Sequence, residues 1–100
     1  MVKVGGHEVK EILANVPGEY VFYLHDGRIL RNIEELRDAL NNITEELYAY
    51  HVNQEKNDFS NWVKDIICDE KLARDLRKAT TRTTAATIIV QRYAYLKSKL

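Results

Sequence analysis

Apolar residues recur at helical spacing along most of the chain. Val9, Ile12 and Leu13 show this spacing first, and their i, i+3, i+4 pattern predicts a short amphipathic helix over residues 7–15. The Pro-Gly dipeptide at 17–18 favours a turn after that helix. Further helical segments follow polar side chains that can accept a hydrogen bond from a first-turn N–H group, and these predicted helix caps are Asn32, Thr44, Asp58 and Asp69.

Residues 19–31 carry the strongest signal for β-structure. Two runs rich in aromatic and β-branched residues flank Asp26-Gly27, and this dipeptide favours a two-residue type I′ turn because glycine tolerates positive φ. Such a turn would place Leu24 opposite Ile29. Both faces of the hairpin would then be largely apolar, and a lone hairpin is only marginally stable in water. We therefore expect helices to cover both faces, or the hairpin edge to pair with a second copy of the chain.

The C-terminal segment carries two conflicting signals. Five threonines within residues 80–87 favour a strand. A seven-residue spacing instead indicates one continuous helical face, and it links Leu72, Ala79, Ala86, Tyr93 and Leu100. A helix break at Thr80 or Thr81, with the threonine as cap, reconciles the two signals and predicts a final helix over 81–99. A single continuous helix from Asp69 is the alternative.

Together these elements predict an α+β fold that is mainly helical, with five or six short helices and one antiparallel β-hairpin near the N-terminus. The length of 100 residues suits one domain and is too short for two. We expect a single domain over 1–100, with a flexible N-terminus at 1–6, the hairpin at 19–31 and a basic C-terminal helix at 81–99. The composition, 45% hydrophobic and 30% charged, excludes a disordered chain.

Charge is distributed unevenly, although the formal net charge is zero. Residues 71–100 carry eight basic groups and one acid, a net charge of +7, and residues 1–70 carry the opposite charge. Three interpretations stay open: the basic segment packs on the acidic body of its own chain, it drives electrostatic self-association, or it binds RNA or the ribosome. The candidate nucleic-acid-binding residues are Arg74, Arg77, Lys78, Arg82, Arg92, Lys97 and Lys99.

A symmetric homodimer is favoured by three features: the apolar hairpin, the seven-residue spacing and the opposite charges of the two segments. If the dimer forms through the C-terminal helical face, the residues of its apolar interface are Leu72, Ile89, Tyr93, Leu96 and Leu100. The alternative is that these side chains close the core of a single chain.

Polar residues between positions 51 and 62 form the best candidate for a ligand or partner site. His51 and Asp58 are seven residues apart across a loop, so their side chains could meet, and an imidazole–carboxylate pair is common in acid–base sites. No nucleophile accompanies the pair, which argues against an enzyme. The candidate ligand- or partner-binding residues are His51, Asn53, Asn57, Asp58 and Trp62; alternatively, they cap helices and fill the core.

Five short segments of the chain form a recognisable set of motifs: residues 22–28 (Phe-Tyr-Leu-His-Asp-Gly-Arg), 33–36, 50–53 (Tyr-His-Val-Asn), 57–63 (Asn-Asp-Phe-Ser-Asn-Trp-Val) and 69–73. Together they resemble a small domain family of unknown function that occurs mostly in archaea and bacteria. The resemblance covers most of residues 8–80 and implies an aromatic hairpin that leads into helices. It implies no activity, since none is established for that family, whose members are often modules within longer chains.

Several functional classes find no support in the sequence. The single cysteine, Cys68, can form neither an intramolecular disulfide nor, unaided, a structural zinc site. No phosphate-binding glycine motif is present, and we expect no metal and no cofactor. No run approaches the roughly 20 apolar residues that span a bilayer, and no signal peptide is visible. We therefore expect a cytoplasmic protein without membrane contact.

The sequence thus predicts a non-catalytic interaction or regulatory protein that acts as a homodimer, with an unidentified protein partner. One alternative is RNA or ribosome binding through the basic C-terminal region. Another is a small-ligand-binding module around His51 and Asp58.

Overall fold

This computed structural model describes residues 6–100 of the chain. They contain six α-helices and one two-stranded hairpin. The helices are α1 Gly6–Leu13, α2 Ile33–Asn42, α3 Glu45–His51, α4 Asp58–Trp62, α5 Glu70–Lys78 and α6 Arg82–Ser98, and the strands are β1 Phe22–Tyr23 and β2 Ile29–Leu30. The predicted α+β, mainly helical fold is confirmed. Residues 1–5, most of the predicted flexible N-terminus at 1–6, lie outside the described residues.

Four of the helices begin at side chains that the sequence identifies as caps or cap candidates. The cap oxygens of Asn32, Thr44, Asp69 and Thr81 each accept a hydrogen bond from the backbone N–H group three residues later. The cap predicted for α4 is wrong by one residue. Asn57 caps that helix, with its Oδ1 accepting from the Ser60 N–H at 2.9 Å, and Asp58 is therefore free to contact other groups.

The break between α5 and α6 follows from Thr81. Its hydroxyl accepts a hydrogen bond from the Thr84 N–H group at 3.1 Å, which begins α6 at Arg82. The predicted break is therefore correct, and the alternative of one continuous helix from Asp69 is wrong. Thr87 fits inside α6 because its hydroxyl donates to the Thr83 carbonyl at 3.1 Å, a bond common for threonine in helices.

The predicted register of the hairpin is wrong by one residue. Phe22 pairs with Leu30 and Tyr23 with Ile29, which leaves a three-residue loop, 25–27, rather than a two-residue turn. Only Gly27 has positive φ in this loop, at +99°, whereas a type I′ turn would impose positive φ on two residues. The observed register places Phe22 and Leu30 in the core and leaves Ile29 exposed, so helices cover one face of the hairpin and not both.

The core lies chiefly between α2 and α6, the helix pair with the most extensive contact. The seven-residue series does not form one exposed seam, because Leu72, Ala79 and Ala86 are buried and only Leu100 is exposed. Leu72, Ile89 and Leu96 have no exposed surface, and their assignment to a dimer interface is therefore corrected: they close the core of their own chain. Of the other two candidates, Tyr93 is half-buried beneath the Arg37 guanidinium, and Leu100 is exposed.

An almost fully buried ion pair joins α6 to the start of α5. The Arg92 guanidinium donates to both carboxylate oxygens of Asp69, from Nε at 2.8 Å and from Nη2 at 3.0 Å. Asp69 also caps α5 by accepting the Leu72 N–H bond. One carboxylate therefore fixes both the first turn of α5 and the position of α6 against it.

The segment between α4 and α5 ends in a backbone conformation that favours glycine. A single π-helical turn, Val63–Ile67, follows α4, and Cys68 after it has a φ of +69°. The Cys68 N–H group donates to the Val63 carbonyl at 2.7 Å, which closes the turn. Left-handed backbone is costly for a residue with a Cβ atom.

Replacing Arg92 by methionine should destabilise the protein strongly, because Asp69 would remain buried without its counter-ion. We expect the free energy of unfolding, measured by urea titration, to fall by about 3–5 kcal/mol. Arg74→Met is the matched control, since Arg74 is exposed on α5, and its effect should stay within about 0.5 kcal/mol. Equal effects of the two substitutions would contradict the role given to the ion pair.

Replacing Cys68 by glycine should stabilise the protein by roughly 1 kcal/mol, because glycine adopts positive φ without steric cost. Cys68→Ala controls for loss of the thiol and should change stability little, since alanine keeps the Cβ atom. Thermal unfolding of the three proteins under reducing conditions measures the difference. A lower melting temperature for Cys68→Gly than for Cys68→Ala would show that the turn does not limit stability.

Candidate functional site

His51 lies at the end of α3, where its imidazole joins three separate parts of the chain. Its Nε2 accepts a hydrogen bond from the backbone N–H of His25 in the hairpin loop, at 3.1 Å. Its Nδ1 lies 2.9 Å from Oδ2 of Asp58 in α4. The ring is 4% exposed and packs among Phe22 and Phe59, with ring centroids 5.2 and 5.3 Å away.

These partners determine the tautomer of the His51 ring. A backbone N–H group can only donate, so Nε2 accepts this bond, and Nδ1 donates to the Asp58 carboxylate. Both ring nitrogens are therefore bound to the protein. The predicted contact between His51 and Asp58 is present, and its geometry makes it a structural joint between hairpin and helices.

The other three residues of the predicted ligand site do not converge on this pair. The Trp62 ring is buried, and its Nε1 donates to the Tyr20 carbonyl at 2.7 Å, which fastens the start of the hairpin. Asn53 folds the loop after α3 by accepting the N–H bonds of Glu55 and Lys56 at 2.8 and 3.0 Å. Asn53 and Asn57 instead line a separate cavity, on the side of α5.

Exposed aromatic and aliphatic side chains cover the outer face of the hairpin and the adjacent end of α3. We call this area the hairpin surface and define it by Tyr23, His25, Ile29 and Tyr50. Tyr23 is 64% exposed and faces Ile29 across the two strands. The His25 ring stacks on Tyr50 with centroids 3.7 Å apart. Exposed aromatic groups on one face are typical of interaction sites.

Charged groups beside the hairpin surface are already paired within the chain. Arg28 donates to the Asp26 carboxylate at 2.9 Å, and this hydrogen bond holds the pKa of Asp26 below its ordinary value. Lys56 lies over the Tyr50 ring and contacts the Asp58 carboxylate at 3.0 Å. The hairpin surface is therefore close to neutral.

Sequence reasoning finds the aromatic residues of the hairpin but not the hairpin surface. The predicted register would bury Ile29, because it pairs that residue with Leu24. The alternation of Phe22 and Tyr23 gives the two faces correctly, yet both residues are apolar enough for either face to be the buried one. Tyr50 carries no signal of its own, since its position next to His25 follows from the bond between His25 and His51.

The predicted nucleic-acid-binding residues fall into different environments rather than one patch. Arg92 is buried on Asp69, and Arg82 bonds the Leu40 carbonyl and the Glu45 carboxylate. The guanidinium groups of these two residues are therefore partly or wholly paired within the chain. The remaining five are exposed and lie near the C-terminal ends of α5 and α6: Arg74, Arg77, Lys78, Lys97 and Lys99.

No helix in the part of the chain from residue 6 onward has both the length and the apolar character needed to cross a bilayer. No three histidine, cysteine, aspartate or glutamate side chains in the same part of the chain come together as a metal site would require.

Replacing His51 by phenylalanine keeps an aromatic ring in the core but leaves the His25 N–H group without its acceptor. We expect a loss of about 1–3 kcal/mol in the free energy of unfolding. Hydrogen exchange at the His25 amide should become faster than in the unaltered protein, and this increase should exceed any change at the Leu36 amide in α2. Asp58→Asn is the control, because its amide oxygen still accepts the Nδ1–H bond. Unchanged exchange at His25 in His51→Phe would show that the bond to His51 does not hold the hairpin loop in place.

Comparison with known proteins adds no relative. Neither the family models, nor the curated proteins, nor the solved structures include a match to this chain. The resemblance to a prokaryotic family of unknown function therefore stays a prediction from the motifs.

Proposed function

We propose that the protein is a non-catalytic interaction module that acts as a homodimer, joined through the hairpin surface. The observation that carries the proposal is the exposure of Tyr23 and Ile29, which face each other across the hairpin, together with the exposed Tyr50 that stacks on His25 of the hairpin loop. Large apolar side chains in such a group lower their free energy when a partner removes them from water.

The hairpin itself supports a second copy of the chain as that partner. Its two strands have two residues each and pair only with one another among the described residues, so each strand has an edge without a neighbouring strand. Such edges readily pair with another chain. A two-fold axis beside the hairpin would bring the same edge and the same apolar side chains of two copies together, as isologous interfaces require.

Charge also favours a second copy over a polyanion at this surface. In an isologous interface, charged groups close to the two-fold axis face their own counterparts, and like charges there would repel. The pairing of Arg28 with Asp26 and of Lys56 with Asp58 removes most of that repulsion. The same pairing leaves little net positive charge for phosphate groups.

RNA binding is the second candidate function, and one observation favours it. Arg74, Arg77 and Lys78 are exposed at spacings that share one side of α5, and none of them makes a recorded ion pair with an acid in the described chain. Phosphate contacts need only such charge, and they weaken as salt rises. The cytoplasmic location expected from the sequence stays a prediction under either function.

Replacing Tyr23 by lysine should convert the homodimer into a monomer, because it removes an interface ring and places like charges across the two-fold axis. Light scattering after size-exclusion chromatography should give twice the chain mass of 11.7 kDa for the unaltered protein, at low and at high salt. We expect the dimer dissociation constant of Tyr23→Lys to rise by about 30-fold or more.

Val90→Lys is the matched control, since Val90 is an exposed apolar residue on the outer side of α6. It should leave the dimer intact. A monomeric unaltered protein, or a dimer lost in Val90→Lys and kept in Tyr23→Lys, would contradict the proposal. Nucleic acid that co-purifies at low salt and dissociates at high salt would favour RNA binding instead, and the absorbance ratio at 260 and 280 nm detects it.

A further inference from the structure

A cavity of about 360 Å³ lies between the turn that follows α3 and the C-terminal end of α5. This volume is within the range of small-molecule sites in proteins. Its lining combines the turn at 52–57 with Arg77, Ala79 and Thr80. None of the residues that define the hairpin surface lines it, and Lys56, which lies over the Tyr50 ring, separates the two.

Internal hydrogen bonds hold the two walls of the cavity in place. Asn57 is 5% exposed, and its Nδ2 donates to the Leu76 carbonyl of α5 at 3.0 Å while its backbone bridges to Val52. Asn53 closes the turn by accepting two N–H bonds and donating its own to the Lys56 carbonyl at 2.9 Å. A ligand would therefore meet a preformed site and would not have to order a loop.

A buried tyrosine fixes the α5 side of the same cavity. The Tyr48 hydroxyl lies 3.4 Å from the Ala79 carbonyl and donates to it. Burial raises the pKa of the Tyr48 phenol above its ordinary value, so the group keeps its proton as a donor. Ala79, itself 2% exposed, is thus held beside Thr80, whose hydroxyl can donate to a ligand.

The charged groups of the lining determine which ligand fits. Arg77 stands on the α5 wall, and its recorded partner is the neutral amide of Asn61, at 3.1 Å. Lys56 stands on the opposite wall and shares its charge with Asp58. Glu55 is the only acid in the lining, and Asp58 already pairs with Lys56, so Arg77 is the lining cation without an acidic partner among the described residues. A guanidinium that bonds only a neutral amide can still bind an anionic oxygen strongly.

We propose that this cavity binds a small organic anion through a single carboxylate or phosphate group, which Arg77 contacts from the α5 wall. Thr80 supplies a second donor, and Val52 supplies apolar surface for the remainder of the ligand. Glu55 repels a second negative charge, which selects against polyanions such as RNA. The site does not depend on the proposed homodimer, and it replaces the predicted ligand site around His51 and Asp58.

The test is a titration of the full chain with inorganic phosphate, and separately with acetate, followed by amide chemical shifts in ¹H–¹⁵N spectra at constant ionic strength. We expect saturable shifts confined to residues 53–57 and 77–80. The anion that binds more tightly identifies whether the group recognised is a phosphate or a carboxylate.

Arg77→Gln should weaken the binding of that anion by about tenfold or more. Arg74→Gln removes the same charge from α5 outside the cavity, and it should change the affinity less than about twofold. Equal losses in the two variants, shifts spread over all exposed basic residues, or no shift with either anion would overturn the proposal. The result is independent of the dimer, because monomeric Tyr23→Lys should bind the anion as the unaltered protein does.

Discussion

The two hydrogen bonds of the His51 imidazole are the interaction on which the rest of the structure depends. A hairpin whose strands have two residues each cannot hold itself together in water, and hydrogen bonds fasten it to the helices. The His25 N–H group donates to Nε2 of His51, the Trp62 ring donates to the Tyr20 carbonyl, and the Arg31 N–H group donates to Glu35 in α2. Asp58 holds the imidazole in the tautomer that can accept the first of these bonds.

This arrangement links the core to the exposed surface. Because His51 fixes the backbone at His25, the His25 ring lies flat on Tyr50, and the hairpin presents Tyr23 and Ile29 outward. The polar residues that the sequence suggests as a site thus act as the support of a surface. The chemistry that remains accessible is elsewhere, on the aromatic hairpin surface and in the cation-lined cavity beside α5.

The charge asymmetry of the chain has a partly internal explanation. Arg92 and Arg82 of the basic C-terminal segment form ion pairs with Asp69 and Glu45 of the acidic segment. The Asp69–Arg92 pair is buried, and such a pair contributes to the geometry of packing more reliably than to net stability. The exposed basic groups that remain are separated along two helices, so much of the formal +7 does not form a single surface.

How much of the structure the sequence predicts depends on whether the signal is local. The caps at Asn32, Thr44, Asp69 and Thr81 are local bonds spanning three residues, and the sequence identifies them. The hairpin register is not local, since it depends on which of Ile29 and Leu30 the helices can bury, and sequence reasoning chooses wrongly.

The same limit explains the errors at the candidate sites. An apolar spacing of seven residues indicates a buried helical face, but it does not tell whether the same chain or a second copy covers it, and Ile89 and Leu96 prove to be core. The pairing of His51 with Asp58 is foreseen from their separation, whereas the third partner, a backbone N–H group 26 residues away, leaves no trace in residue type. The cavity likewise joins residues near 55 to residues near 78, which no sequence motif connects.

Contacts between copies show whether two chains of this protein meet through their hairpins. A sample that mixes isotope-labelled with unlabelled chains allows intermolecular nuclear Overhauser effects to be selected. We expect such effects between the Ile29 methyl groups of one copy and the Tyr23 ring of the other. Intermolecular effects confined to α6, or none at concentrations where light scattering shows a dimer, would contradict this expectation.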